Sequence, residues 1–255
     1  MYLVIEMLTD THCHIFSNSY ENVHDILNYL ETYNIKRIII NGYNYQTNLE
    51  VLDLIDKYDN VYGALGVHPS NMDKNFDKTF SLIEDNLNHP KIVAVGEIGL
   101  DYYWNKDNKK IQLENFNKLL KLAQKHNKPV IIHNRESTED MLKTITKYKL
   151  KGIMHCFSGS YEVAKEYIKN GYKLGINGIV TFSNAKLPEI LEKIDISNIL
   201  LETDAPFITP EPHRKNKNEP KYLGDIAKKV AQIYKLDEND LALKLEENLL
   251  SIFDF

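Results

Sequence analysis

The sequence predicts an α/β chain folded as a single-domain (β/α)8 barrel of the TIM type, with extra helices at its C-terminal end. Three observations carry that expectation. Eight short runs rich in Val, Ile and Leu alternate with longer stretches of helical period. Strands that alternate with helices pair in parallel, because a parallel connection needs a crossover long enough to hold a helix. The 255 residues also match the roughly 250 that eight such units occupy. An open, doubly wound sheet is the competing architecture. It would call for a Gly-rich phosphate fingerprint after the first strand, and none is written there.

The elements follow in order. The first strand is expected over Met7–His14, and Val23–Tyr33 then places Val23, Ile26, Leu27 and Leu30 on one helical face. Strands are expected next at Arg37–Gly42, Val61–His68, Val93–Leu100 and Pro129–Asn134. Between the fourth and fifth, Asn108–His126 spaces Ile111, Leu119, Leu120, Leu122 and Ala123 as a surface helix burying one stripe. The last three strands are expected at Gly152–Ser158, Lys173–Asn177 and Ile199–Asp204. Two helical stretches, Lys221–Tyr234 and Glu238–Ser251, follow the eighth strand and should close the barrel rather than form a second domain. With no repeat, low-complexity tract or linker, residues 1–255 read as one domain.

Composition narrows the function classes. Hydrophobic residues at 43% and charged residues at 26% are ordinary for a globular domain. A membrane-spanning helix takes about 20 consecutive apolar residues, and uncharged, mostly apolar stretches such as Val61–Val67 fall far short of that. Met1-Tyr2-Leu3-Val4-Ile5 is cut short by Glu6 and lacks a basic start and a cleavage site, so a secretory leader is not expected. Cys13 and Cys156 cannot make a disulfide framework and suit a reducing cytoplasm. A net charge of −5 provides no general basic coat for nucleic acid. Membrane protein, secreted mini-protein, disordered tail and histone-like binder are thereby excluded. The expectation is a cytoplasmic monomer.

The chemistry gathers at strand ends. Five of nine histidines, His12, His14, His68, His133 and His155, fall at the C-terminal ends of predicted strands; His24, His89, His126 and His213 do not. In a barrel of this type that end faces the active-site mouth. Glu97 and Asp204 come from the same ends. His12 and His14 are at i and i+2 on a strand, on one side and about 6.5 Å apart along the backbone, so two imidazoles can converge on one ion. Cys13 then faces the helices, as a small buried hydrophobe. Asp10 just before them adds weight to a metal site. A carboxylate inside a barrel must be paired or metal-bound. No Lys or Arg ends a neighbouring strand to pair with Glu97, and its two oxygens can bridge two ions. His133 and His155, on adjacent strands, are expected to hold the second ion, with Cys156 pointing away.

Asp204 can ligate one ion and also accept a proton from water, which is general-base work. Glu202, two residues earlier and on the same side, either takes part in the chemistry or holds Thr203 or a ligand histidine from behind. His68 is either a donor to an anionic substrate or a core histidine. After the eighth strand, Arg214, Lys215 and Lys217 form a cationic loop where phosphates often bind in such barrels. Arg214 can grip a phosphate with two parallel hydrogen bonds; Lys215 and Lys217 suit either that role or plain solvation. Arg135 suits a salt bridge at a helix start more than a substrate role.

Taken together, Asp10-Thr11-His12-Cys13-His14, Gly66-Val67-His68-Pro69, Gly96-Glu97-Ile98-Gly99-Leu100-Asp101-Tyr102, His155-Cys156-Phe157-Ser158-Gly159 and Glu202-Thr203-Asp204-Ala205-Pro206 resemble the signatures of TatD-type metal-dependent deoxyribonucleases, (β/α)8 hydrolases of the amidohydrolase superfamily. The resemblance runs in order from His12 to about Pro220. It implies His12, His14 and Asp204 on one ion, His133 and His155 on the other, and Glu97 between them. One departure stands out: the family's loop usually reads Arg-Gly-Lys-Arg-Asn-Glu-Pro, whereas Lys215 replaces the glycine in Arg214-Lys215-Asn216-Lys217-Asn218-Glu219-Pro220. The expected activity is hydrolysis of DNA phosphodiesters, at single-stranded or 3′ ends, by water activated between two divalent ions (Zn²⁺, Mn²⁺ or Mg²⁺). Asp204 and Glu202 are the expected catalytic residues, with His68 and Arg214 on the substrate. A metal-dependent amide, lactone or deaminating hydrolase of a small metabolite would use the same ligands but not the cationic loop. A catalytically dead scaffold would have lost a ligand.

Overall fold

The computed structural model describes residues 7–72, 75–104 and 106–255. The leader argument rests on Met1–Glu6, outside the described residues. Eight parallel strands form one sheet in sequence order: β1 (Leu8–Cys13), β2 (Ile35–Asn41), β3 (Val61–Leu65), β4 (Ile92–Asp101), β5 (Val130–Arg135), β6 (Gly152–Met154), β7 (Tyr172–Ile176) and β8 (Ile199–Leu201). Between them run α1 (Val23–Asn28), α2 (Tyr45–Lys57), α3 (Phe76–Asn86), α4 (Lys109–Lys125), α5 (Thr138–Ile145), α6 (Tyr161–Lys169) and α7 (Leu187–Leu191). The last two helices, α8 (Leu223–Tyr234) and α9 (Glu238–Leu250), follow β8 as the sequence predicts.

Alternation along the strands makes two cores. Ile38, Ile40, Val130, Ile132, Met154, Ile199 and Leu201 pack outward against the helices. Their neighbours Ile39, Ile131, Ile153 and Leu200, joined by Ala64 and Ala94, pack inside with Leu249, Ile252 and Phe253. The chain at and after α9 thus closes the end of the barrel opposite the histidines. The seam between β8 and β1 is sewn by Thr11, which donates to the Leu201 carbonyl at 2.9 Å, and by Asp10, whose Oδ1 accepts the Thr203 N–H at 2.9 Å. Above them the Asp204 N–H donates to the His12 carbonyl at 2.9 Å, and the His14 N–H to Ala205 at 2.7 Å. Among the described residues no helix is long and apolar enough to cross a membrane.

Three local departures matter to the site. The stretch predicted as one helix, Val23–Tyr33, breaks after α1 into a 3-10 turn at Leu30–Tyr33, closed by Asn34 with φ 56°. Asn tolerates that left-handed conformation, and it turns the chain into β2 at once. Strands three, six and eight end early, at Leu65, Met154 and Leu201, so His68, His155 and Asp204 sit on the segments that curl over the mouth. Cys156 and Asp204 have φ of 50° and 56°, which ends the two-residue alternation there. Finally, β4 carries one extra residue between the pairs Val95–Val130 and Ile98–Ile132, a bulge that re-aims side chains and turns Glu97 inward. Gly99 is required nearby: with φ +150°, any Cβ there would lie 2.0 Å from the His133 carbonyl oxygen.

Candidate metal centre

Six predicted residues converge at the mouth around one carboxylate. Glu97 Oε2 lies 3.7 Å from His12 Nε2 and 3.4 Å from His14 Nε2. Asp204 Oδ1 lies 3.6 and 3.7 Å from the same two nitrogens, which are themselves 3.1 Å apart. The other oxygen, Glu97 Oε1, lies 3.0 Å from both His133 Nδ1 and His155 Nε2, and those nitrogens are 3.3 Å apart. One carboxylate therefore divides its oxygens between two nitrogen pairs. Tetrahedral ligands with metal–nitrogen bonds of about 2.0–2.1 Å are about 3.3–3.4 Å from one another. The observed spacings bracket that value, so the donor set fits divalent cations.

The far sides of these imidazoles are held. His14 Nδ1 faces the Asn41 carbonyl at 2.8 Å; a carbonyl only accepts, so the proton is on Nδ1 and the Nε2 lone pair faces the centre. His133 Nε2 meets Asp101 Oδ2 at 3.1 Å, and His155 Nδ1 meets Glu202 Oε1 at 3.5 Å. Such outer carboxylates fix tautomer and ring orientation in metal sites. His12 Nδ1 and Glu202 Oε2 are buried and have no hydrogen-bond partner among the described residues.

Titration follows from the crowding. Burial opposes charge on Glu97, but His155 and His68, with hydrogen bonds from His133 and His14, hold it well below the usual carboxylate range. Burial likewise opposes charge on His155, yet Glu97 and Glu202 hold it well above an ordinary imidazole. His133 is raised by Asp101 and Glu97 against the same burial. His12 is lowered by burial and by His155 beside it, the two rings stacking at 3.9 Å. Burial lifts Asp204 to about 6.

His68 occupies the mouth in a different way. Its Nδ1 accepts the Ser70 backbone N–H at 3.1 Å, so the neutral ring carries its proton on Nε2, which lies 3.7 Å from Glu97 Oε1. Burial, with His133, pushes its pKa down to about 3. It is a neutral donor aimed at the centre, and in that tautomer it has no lone pair to offer an ion.

Other expectations are corrected. Glu202 is wholly buried and does not line the mouth; its Oε1 accepts the Cys156 N–H at 2.6 Å and faces His155 Nδ1 at 3.5 Å. Arg214 does not line the mouth either: its guanidinium lies 4.0 Å over Phe182 and donates to the Thr209 carbonyl at 2.8 Å. Lys217 is tied back to the Ser19 carbonyl at 2.5 Å. Asn218 fastens this loop from within, donating to the Thr203 carbonyl at 2.8 Å. Arg135, expected at a helix start, instead lines the mouth, as does Cys156. Burial raises the Cys156 thiol to about 12, and it is in none of the candidate ligand groups found among the described residues. Asp10 joins no ligand set. It is fully buried, bonded to Thr203, and raised by burial to about 7.

Sequence reasoning gave no role to Asp101, Asn41 or Trp104. The signal for Asp101 was there, a second carboxylate four residues after Glu97 on the same strand. Asn41 works through its carbonyl, which no side-chain pattern announces. The cavity these residues enclose measures about 830 Å³ and is walled also by Tyr43, Ser158, Phe207 and Ile208.

A family model described as TatD related DNase matches residues 9–254. The chain is 38% identical over 253 residues to YabD of Bacillus subtilis, named an uncharacterized metal-dependent hydrolase, covering 97% of this chain and 99% of that one. It is 33% identical to the similarly named MJ1582 of Methanocaldococcus jannaschii, covering 96% of each. The crystal structure of YjjV, a TatD homologue from Escherichia coli, superposes with a TM-score of 0.92 at 28% identity, covering 97% of this chain and 98% of the other. A centre built for divalent cations at the mouth of a (β/α)8 barrel and a family match along nearly the whole sequence lead to one conclusion: the chain belongs to the TatD family of metal-dependent hydrolases.

Proposed function

We propose that the chain hydrolyses phosphodiester bonds in DNA, working from the ends of single strands, with two divalent cations. The observation that carries this is the division of Glu97 between two nitrogen pairs. His12, His14 and Asp204 would hold one ion, His133 and His155 the other, and Glu97 both. Two adjacent cations supply Lewis-acid charge that makes water a better nucleophile and offsets charge on the phosphoryl oxygens.

The protein's own groups do the rest. Asp204 turns Oδ1 to His12 and His14, leaving Oδ2 to take the proton of the attacking water. The water oxygen bonds phosphorus as the ester oxygen departs, and the departing oxygen takes a proton from solvent in the mouth. His68 Nε2–H is placed to donate to a phosphoryl oxygen as its charge grows. Arg135 supplies a full positive charge on the same wall, the role the sequence assigned to Arg214. Glu202 and Asp101 orient His155 and His133.

The family model's description supports DNA as substrate, and the presence of one Lys or Arg among the described mouth residues supports contact with few phosphates, as at a strand end. The test offers labelled single- and double-stranded DNA, with a panel of amides and lactones, to protein loaded with Zn²⁺, Mn²⁺ or Mg²⁺. Trimming from single-stranded ends is expected, and Asp204→Asn should lower turnover by at least about 10²-fold while the fold survives. Turnover of amides or lactones alone would move the chain to the small-metabolite class.

A further inference from the structure

Trp104 is 67% exposed at the rim of the mouth, an unusual setting for the chain's one tryptophan. We propose that Trp104, with Tyr103 and Arg135, is a stacking platform for an unpaired nucleobase next to the phosphate being cut. The inference rests on the phosphodiester reading above and names the part of the strand that the protein grips.

Geometry makes the rim a built surface rather than a stray apolar residue. Tyr103 meets Trp104 edge-on, with ring centres 4.8 Å apart and planes at 87°. The Arg135 guanidinium lies 4.0 Å over Tyr103 and 5.4 Å from the Trp104 ring centre. Trp104 and Arg135 both line the cavity that holds Glu97, His133 and Asp204. The turn is also tied to the metal centre. Asp101 Oδ1 accepts the N–H groups of Tyr103 and Trp104 at 2.9 and 3.1 Å, while its Oδ2 holds His133. One carboxylate thus fixes both a proposed metal ligand and the aromatic rim.

Charge explains why such a platform is needed. Among the described residues, Arg135 is the one Lys or Arg lining the mouth. Arg214 and Lys217, outside the mouth, are each turned to a backbone carbonyl, of Thr209 and Ser19, and the net charge is −5. Attraction for the phosphate backbone is therefore small, and affinity must come from another source. Flat aromatic faces beside a guanidinium provide it for single strands, because every base has a π-face and stacking needs no particular sequence. A paired base cannot reach the rim without leaving its helix, so the platform also selects against duplex.

The single tryptophan reports on its own site. Binding is read in the Asp204→Asn variant loaded with Mg²⁺, which keeps the strand uncut, by quenching of Trp104 fluorescence. A short oligothymidylate should quench; an abasic strand of the same length and a blunt duplex should not. In kinetics with otherwise intact protein, Trp104→Ala should raise KM for oligothymidylate about 5- to 150-fold, the range that loss of one stacked base gives, with kcat little changed. It should leave KM for the abasic strand unmoved, and Trp104→Phe should recover most of the loss. Equal KM for wild type and Trp104→Ala, or quenching as strong with the abasic strand, overturns the platform. Quenching without cleavage of any DNA by wild type would keep the platform and sink the nuclease reading, and cleavage without quenching does the reverse.

Discussion

Glu97 and Asp101 share a strand but have opposite tasks. The first lies at the middle of the histidine cluster; the second backs it, with one oxygen on His133 Nε2 at 3.1 Å and the other on two backbone N–H groups. Losing an outer partner of this kind costs roughly 10- to 100-fold in metal affinity. Asp101→Asn, which keeps the size and removes the charge, should therefore weaken binding of one ion and leave the other near its original affinity. Metal titration that shows both ions bound as tightly as before would remove Asp101 from the centre. Most of the site was legible in the sequence because histidines ending parallel strands have few other reasons to be there. What was not legible depended on chain reversals: Cys156 and Arg135 reached the mouth only because strands and helices end where they do. Arg214 was misplaced because its pattern gives no sign that Phe182 and the Thr209 carbonyl would absorb it.

At the level of elements, all eight strands were legible from their runs of β-branched and aliphatic residues, since a strand buried on both faces must be apolar throughout. Their ends were not, because β3, β6 and β8 give up their last residues to the mouth. The bulge in β4 was also invisible, as a glycine and a carboxylate read the same in a regular strand. The role of the last helix was foreseen only as closure. The depth of that closure shows just past the helix in Phe253, which is buried with Leu249 and Ile252 beneath Ile39, Ile131 and Leu200. Removing a large aromatic side chain from such a core costs about 3–5 kcal/mol. Phe253→Ala should lower the urea midpoint accordingly with the slope unchanged. A loss under about 1 kcal/mol would show that the barrel floor is closed by something else.

For the whole molecule, ions, protons and salt are linked. His155 and His133 are held above the ordinary imidazole range by Glu97, Glu202 and Asp101 against burial, so before ions bind they hold a proton more tightly than a free imidazole does. Ligation needs the unprotonated ring, so metal loading should release protons and affinity should climb with pH until those rings are neutral. Calorimetry in two buffers of different ionisation enthalpy checks this, and heats independent of buffer would contradict it. Binding of single strands should in turn depend weakly on salt. With one mouth cation, a log–log slope near −1 is expected, about −0.7 per phosphate; a slope steeper than about −4 would mean that a wider surface grips the strand.

The seam carries a consequence for time. Asp10 and Thr203 are 193 residues apart in the chain, and His12, His14 and Asp204 straddle the same join. The remaining members, Glu97, His133 and His155, come from β4, β5 and the segment just after β6, so the set is complete only when the two ends of the barrel meet. Closure entropy must be met before contacts of such separation can reward it, and so helices and neighbouring strand pairs should form first. In refolding, tight metal uptake is expected to lag behind the far-ultraviolet dichroism signal, and uptake in step with that signal would show an early seam. A chain still short of its last strand has no hydrolytic centre, and the protein is inert until the circle is complete.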